Sequence, residues 1–218
     1  MRVSPDWTPA PTSLIILVEM SLVIGLTGNI ATGKTTVARI LAELGAVVID
    51  ADKVGHEVLE QDSDVKKELV AAFGADILGP EGKIDRARLA RKAFADGAKT
   101  ARLSEITHPR IYSRVKERIA AEKARGTGVV VLEAALLFEA GWTDLADQVW
   151  VTVVPPEVSL ARTRKPRGVS DKELLDRLNS QMPAQEKARR ADVVIDNSCS
   201  LEEVRVRVAE LWRGLKVG

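Results

Sequence analysis

The chain has 218 residues, enough for one large domain or two small ones, and its 45% apolar and 29% charged content excludes an intrinsically disordered chain. Its 32 basic residues nearly balance its 31 acidic ones, giving a net charge of +1 and removing the global basic excess of a nucleic-acid coat or a polybasic membrane binder. With Cys199 as the only cysteine and His56 and His108 as the only histidines, an intramolecular disulfide and a cysteine-based metal site are excluded, and a reducing, cytoplasmic setting fits.

Residues 1–19 contain Pro5, Pro9 and Pro11, which oppose a helix, and the apolar run Leu14–Val18 is too short for a signal-peptide core or a membrane span. They are expected to be a disordered extension or a mis-called start ahead of Met20. An extra edge strand at Leu14–Val18 is the alternative. From Met20 the pattern alternates strand and helix. Leu22–Leu26 is a continuous apolar run leading into Thr27 and Gly28, as expected of a buried parallel strand. Thr35–Leu44 reads as an amphipathic helix closed by Gly45. Ala46–Ile49, Val129–Leu132, Gln148–Val154 and Val193–Ile195 read as four further strands. Helical patterns between them indicate an α/β fold, a doubly wound five-stranded parallel sheet.

Two stretches interrupt the alternation. Lys53–Arg125 carries no convincing strand and reads as a helical insertion. Glu157–Gln181 holds Arg162, Arg164, Lys165 and Arg167 close together without an acid among them. The expected organisation is therefore a single domain over residues 20–218. Its core would be 20–52, 126–156 and 182–218, with a helical acceptor-binding part at 53–125 and a lid at 157–181.

Gly28-Asn29-Ile30-Ala31-Thr32-Gly33-Lys34-Thr35 fits the pattern G-x-x-x-x-G-K-[ST] and lies between a predicted strand and a predicted helix. Glycines let the backbone curl so that its N–H groups face an anion, and the following helix start adds positive potential. Gly28, Asn29, Ala31, Thr32, Gly33, Lys34, Thr35 and Thr36 are thus candidate nucleotide-binding residues. Lys34 should reach the β- and γ-phosphates, and the Thr35 hydroxyl should ligate Mg²⁺. No N-K-x-D or T-K-x-D tetrapeptide of a GTPase occurs, and no L-S-G-G-Q-like transporter signature. A helical insertion to hold an acceptor and an Arg-rich segment to close over phosphates are the parts of a small-molecule kinase.

From Met20 to near the C-terminus the chain resembles the dephospho-coenzyme A kinase family. The resemblance rests on Ile24–Ala38 around the phosphate loop, Ile49-Asp50-Ala51-Asp52, Thr107-His108-Pro109, and Leu136-Leu137-Phe138-Glu139-Ala140-Gly141. It continues through Arg177–Gln181, Lys187 and Ala191–Ser198. Asn29 and Ala31 stand where that family usually has glycines, Ala135 where it has proline, Ser159 where it has glutamine and Cys199 where it has glycine.

The resemblance implies phosphoryl transfer from ATP to the ribose 3′-hydroxyl of dephospho-coenzyme A, the last step to coenzyme A, with Mg²⁺ assisting. A nucleoside or nucleotide kinase on the same scaffold, or a nucleotide-dependent regulatory binder, is the alternative. No nucleic-acid or membrane partner is expected, and a monomer or weak homo-oligomer is. By resemblance Asp52 orients the attacking hydroxyl; pattern alone equally allows it to cap a helix, with Asp50 fixing the turn. Glu133 is a candidate Mg²⁺ neighbour beside Thr35, or a structural acid. Arg162 matches the family's first lid arginine, and because the second position falls on Pro166, Arg164 or Arg167 would substitute. Asn197 is placed beside the adenine, or in a simple Asx turn. His108-Pro109 helps form the acceptor pocket, or Pro109 opens a helix at its first position. Trp142, Trp150 and Trp212 are expected to pack helices on the sheet, and Cys199 to be a bystander.

Overall fold

The structure, a computed structural model, describes residues 21–163 and 181–215. The expectations for residues 1–19, and for Arg164, Lys165, Pro166 and Arg167, therefore lie outside the described residues. Five strands, β1 (Leu22–Gly28), β2 (Val47–Asp50), β3 (Val129–Glu133), β4 (Gln148–Val153) and β5 (Val193–Asp196), form one sheet in the order β2-β3-β1-β4-β5. Every pairing is parallel. The five expected strands are all present, each shifted by no more than two residues at its ends.

Alternation along the strands divides the core in two, because successive side chains point to opposite faces. Val23, Val130, Leu132, Val149 and Val151 pack on one face with Val54, Val115, Ile119 and Trp142. Ile24, Leu26, Val129, Val131 and Trp150 pack on the other with Val37, Leu41, Val204 and Val208. The second group comes largely from α1 (Lys34–Glu43) and α8 (Leu201–Arg213). Trp212 lies partly buried against that same face. Apolar burial on both sides, at about 25 cal/mol per Å², leaves the inner strands β3, β1 and β4 largely dry, which is why they read as apolar runs, while Val194 on the edge strand β5 stays exposed.

Between β2 and β3 lie α2 (Ala51–Gln61), α3 (Ser63–Phe73), α4 (Arg86–Ala93) and α5 (Gly97–Ala124). Val58, Val65, Leu69, Phe73, Ile77, Leu89 and Ile106 give these helices a hydrophobic cluster of their own. Asp50, Asp62, Asp85 and Asp96 each cap the helix that follows by accepting its first-turn N–H groups. Asp50 rather than Asp52 caps α2, at 3.0 Å from the Asp52 N–H nitrogen and 3.1 Å from that of Lys53. The capping alternative for Asp52 is thereby corrected, and its carboxylate stays exposed in the first turn. Pro109 does not open a helix either. It sits inside the long α5, where its missing N–H costs one helical bond and packing of the surrounding turns holds the helix through it.

One residue before Pro109, His108 meets the buried Trp142 edge-on, with ring centroids 5.5 Å apart. Burial lowers the His108 pKa from its ordinary value near 6.5. A folded-state pKa below the unfolded one means that the unfolded chain binds more protons in that window, so stability falls as pH drops below 6.5 toward the folded value. We expect His108→Gln to lose less melting temperature than the unsubstituted protein between about pH 7.5 and pH 5.5, measured by thermal denaturation. Equal losses in the two proteins would remove His108 as the source of that sensitivity.

Candidate active site

Strand register brings the candidate groups to one edge of the sheet. Asp50 pairs with Glu133, Glu133 with Leu26, and Gly28 with Thr152, while Val153 pairs with Asp196. The C-terminal ends of β2, β3, β1, β4 and β5 therefore line up, the place where open α/β sheets bind ligands. The loop after the central strand β1 lies in the middle of this edge.

That loop is folded as a phosphate cradle. Gly33 precedes α1 at φ 80°, in the left-handed region, and no side chain caps the helix start. Thr36 N and Val37 N turn back to Gly33 O, at 2.9 and 3.2 Å, while the N–H groups of Lys34 and Thr35 have neither an intrahelical acceptor nor a competing cap, which leaves them for an anion. A Cβ on Gly33 would lie 1.8 Å from Asn197 Nδ2. A Cβ on Gly28 would meet Thr152 Oγ1 at 2.2 Å. Thr32 closes the curl by donating to Asn29 O at 2.8 Å and sharing a 2.7 Å hydrogen bond with Thr152 Oγ1. Ala31 is the only described non-glycine residue at positive φ, at 61°.

Lys34, Thr35 and Glu133 come together on the α1 side. The Thr35 hydroxyl donates to Glu133 Oε1 at 2.7 Å, and Lys34 Nζ lies 3.5 Å from the same oxygen. Glu133 is 7% exposed at the end of β3, so its charge is held where little water screens it. A hydroxyl and a carboxylate in contact beside a phosphate cradle are an oxygen donor set that suits Mg²⁺, which keeps waters and phosphate oxygens as its remaining ligands.

Asn197 does not form an Asx turn. It is 5% exposed, and its amide donates to Thr32 O at 2.7 Å, tying the loop after β5 to the phosphate loop. Asp196 makes that turn instead, accepting from Ser198 N and Ser198 Oγ. Arg162, near the end of α6 (Pro156–Thr163), donates to Asn197 O at 2.9 Å and to Ala31 O at 3.4 Å. Ser159, one turn earlier, donates to Ile30 O at 2.9 Å. Cys199 is a free, partly buried thiol packed against the core, which fits a bystander. Asp52 stands two residues beyond β2 on the same edge, in the first turn of α2.

Sequence reasoning gave no role to a further group. Lys187 of α7 (Ala184–Arg190) is fully buried, and its ammonium donates to Glu139 Oε1 at 2.9 Å and Ala135 O at 2.9 Å. Burial lowers its pKa, the Glu139 carboxylate opposes that shift, and the charge of Lys34 adds to it. Glu139 Oε1 also accepts from Met182 N at 2.7 Å, and its other oxygen is buried without a partner. A lysine on an otherwise charged helix, Ala-Gln-Glu-Lys-Ala-Arg-Arg, looks solvent-facing in sequence, so only the tertiary fold reveals it.

With this geometry in place, a family profile described as dephospho-CoA kinase matches residues 22–203. The chain belongs to the dephospho-CoA kinase family. A dephospho-CoA kinase of Geobacter sulfurreducens is 47% identical over 190 residues, covering 87% of this chain and 96% of that protein. Among solved structures, a Thermus thermophilus protein aligns with a TM-score of 0.72 at 33% identity over 89% of this chain and 98% of its own. A dephospho-CoA kinase from Campylobacter jejuni aligns with a TM-score of 0.67 at 30% identity, covering 89% of this chain and 96% of that one. Membership in the family bears out the fold read from the alternating pattern.

The strain at Ala31 is measurable. Relief of a left-handed alanine contributes about 1–2 kcal/mol, against about 0.4–1 kcal/mol of added unfolded-state entropy for glycine. Ala31→Gly should therefore raise the stability by roughly 0.5 kcal/mol in denaturant unfolding, whereas Gly33→Ala, which drives a methyl into Asn197, should lower it. A destabilised Ala31→Gly would show that the loop conformation carries no net strain.

Proposed function

We propose that the chain transfers the γ-phosphoryl group of ATP to the ribose 3′-hydroxyl of dephospho-CoA, giving coenzyme A and ADP. The observation that carries this reading is the Lys34–Thr35–Glu133 cluster at the mouth of the phosphate loop, in a chain of this family. The loop N–H groups, with Gly28, Asn29, Ala31, Thr32, Gly33 and Thr36 shaping the curl, bind the polyphosphate. Lys34 swings from Glu133 onto the β- and γ-phosphate oxygens, where its charge offsets the charge that spreads over the transferred group.

Thr35 and Glu133 would hold Mg²⁺, Thr35 directly and Glu133 directly or through water. When bound, the ion supplies charge neutralisation between the β- and γ-phosphates. Asp52 accepts a hydrogen bond from the 3′-hydroxyl and orients its oxygen toward the γ-phosphorus. As the new oxygen–phosphorus bond forms, the bond to the β–γ bridging oxygen breaks, and the hydroxyl proton leaves toward the Asp52 carboxylate. Arg162 and Asn197, joined to each other and to the phosphate loop, wall the nucleotide side of the site. No described helix is long and apolar enough to cross a membrane. A reducing cytoplasmic compartment suits a chain with a single free cysteine.

Purified protein supplied with Mg-ATP and dephospho-CoA should form coenzyme A. ATP binding without that product would refute the substrate assignment. We expect Asp52→Asn to lower kcat by about 100-fold while leaving the KM for ATP within about twofold, and Lys34→Ala to lower kcat/KM by about 1000-fold. Steady-state kinetics would place Asp52 in a structural role if kcat fell and the KM for ATP rose by similar factors.

A further inference from the structure

We infer that Lys187 and Glu139 are a buried positioning pair that sets the Asn29–Ile30 part of the phosphate loop for ATP, acting through Gln181 and Met182. The inference rests on the nucleotide-binding part of the proposed function and is independent of which acceptor is phosphorylated.

Bonds radiating from the pair reach both flanks of the first half of the loop. On one side, Glu139 Oε1 accepts from Met182 N at 2.7 Å, and Met182 O accepts from Asn29 Nδ2 at 3.1 Å. The neighbouring Gln181 Oε1 accepts from Ile30 N at 3.1 Å. On the other side, Lys187 Nζ donates to Ala135 O, which also accepts from Thr27 Oγ1 at 3.3 Å. Thr27 immediately precedes Gly28, where the curl begins. The pair thus fixes the loop where it leaves β1 and again where it turns at Asn29 and Ile30.

A purely structural role accounts poorly for these groups. Lys187 is fully buried and Glu139 largely so, and charges withdrawn from water attract each other only about as much as they lose in hydration, so that apolar side chains of similar volume often stabilise as well or better. Glu139 Oε2 adds a buried acceptor with no hydrogen-bond partner, a further penalty that an apolar core would not carry. What an apolar pair cannot do is accept from Met182 N and so hold residues 181–182 against the loop. Asn29 belongs to the same logic: with a side-chain amide in the phosphate loop, the loop can be held from outside by Met182 O.

The test separates stability from nucleotide binding. Removing both charges in Glu139→Leu/Lys187→Met avoids stranding either one, so the double variant should keep a melting temperature within about five degrees of the parent. Its ATP affinity, measured by calorimetry with Mg-ATP and no acceptor, should nonetheless fall at least threefold. A folded double variant with less than a threefold loss would overturn the inference. If the double variant does not fold, Glu139→Gln answers instead. It keeps an oxygen for Met182 N but loses the charge facing Lys187, so melting temperature should fall while ATP affinity stays within threefold. Affinity that falls more than threefold in Glu139→Gln would show that the charge, not the acceptor for Met182 N, sets the loop, and would overturn the route through Met182. Parent protein that binds ATP but makes no coenzyme A would refute the acceptor, not this inference; parent protein that binds no ATP would overturn both.

Discussion

A backbone phosphate cradle forms only where several N–H groups converge with no side chain in the way, and the elements around the loop after β1 are arranged to that requirement. At Gly33 the space a methyl group would fill belongs to the Asn197 amide, and at Gly28 it belongs to Thr152. The curl is therefore packed from outside by β4 and by the loop after β5 as well as permitted by glycine. α1 begins without a side-chain cap, while α2, α3, α4, α5 and α8 begin with one. α7 also starts uncapped, behind Pro183, but the uncapped start of α1 is the one set at the end of the central strand.

Charge at this edge is balanced in pairs rather than scattered. Lys34 rests against Glu133, and Lys187 against Glu139, so these two cations are each held beside a carboxylate. Under the proposed function, a phosphate group at Lys34 would exchange one anionic partner for another, which would limit the reorganisation needed for binding. Glu133 would then have oxygen atoms free for a cation, with Thr35 already beside it. The near-zero net charge of the chain is thus the sum of local pairings, with the working charges concentrated at the strand ends.

Much of the fold was legible because two periodicities are carried locally. Runs such as Val129–Leu132 mark strands buried on both faces, and the amphipathic repeat of Lys34–Glu43 marks the helix that covers one of them. The phosphate loop was legible for the same reason: its chemistry depends on residues adjacent in the chain. Capping at Asp52 stayed open as an alternative because an Asp-x-Asp sequence offers two caps, and only the end of the β2 ladder decides that Asp50 takes the role. The alternative that Pro109 opens a helix arose because proline is a local helix breaker, whereas packing along α5 carries the helix through it.

The sequence by itself determined the strand-loop-helix that cradles phosphate, the alternation that builds a parallel sheet, and the helical insertion after β2, since each follows from near neighbours along the chain. Only the tertiary structure decided the strand order, the meeting of Glu133 with Lys34 and Thr35, the grip of Asn197 on Thr32, and the burial of Lys187 against Glu139. These contacts join residues separated by tens of positions to more than a hundred and sixty along the chain. Their energies depend on desolvation and geometry at the sheet edge, which no local pattern of residue types encodes.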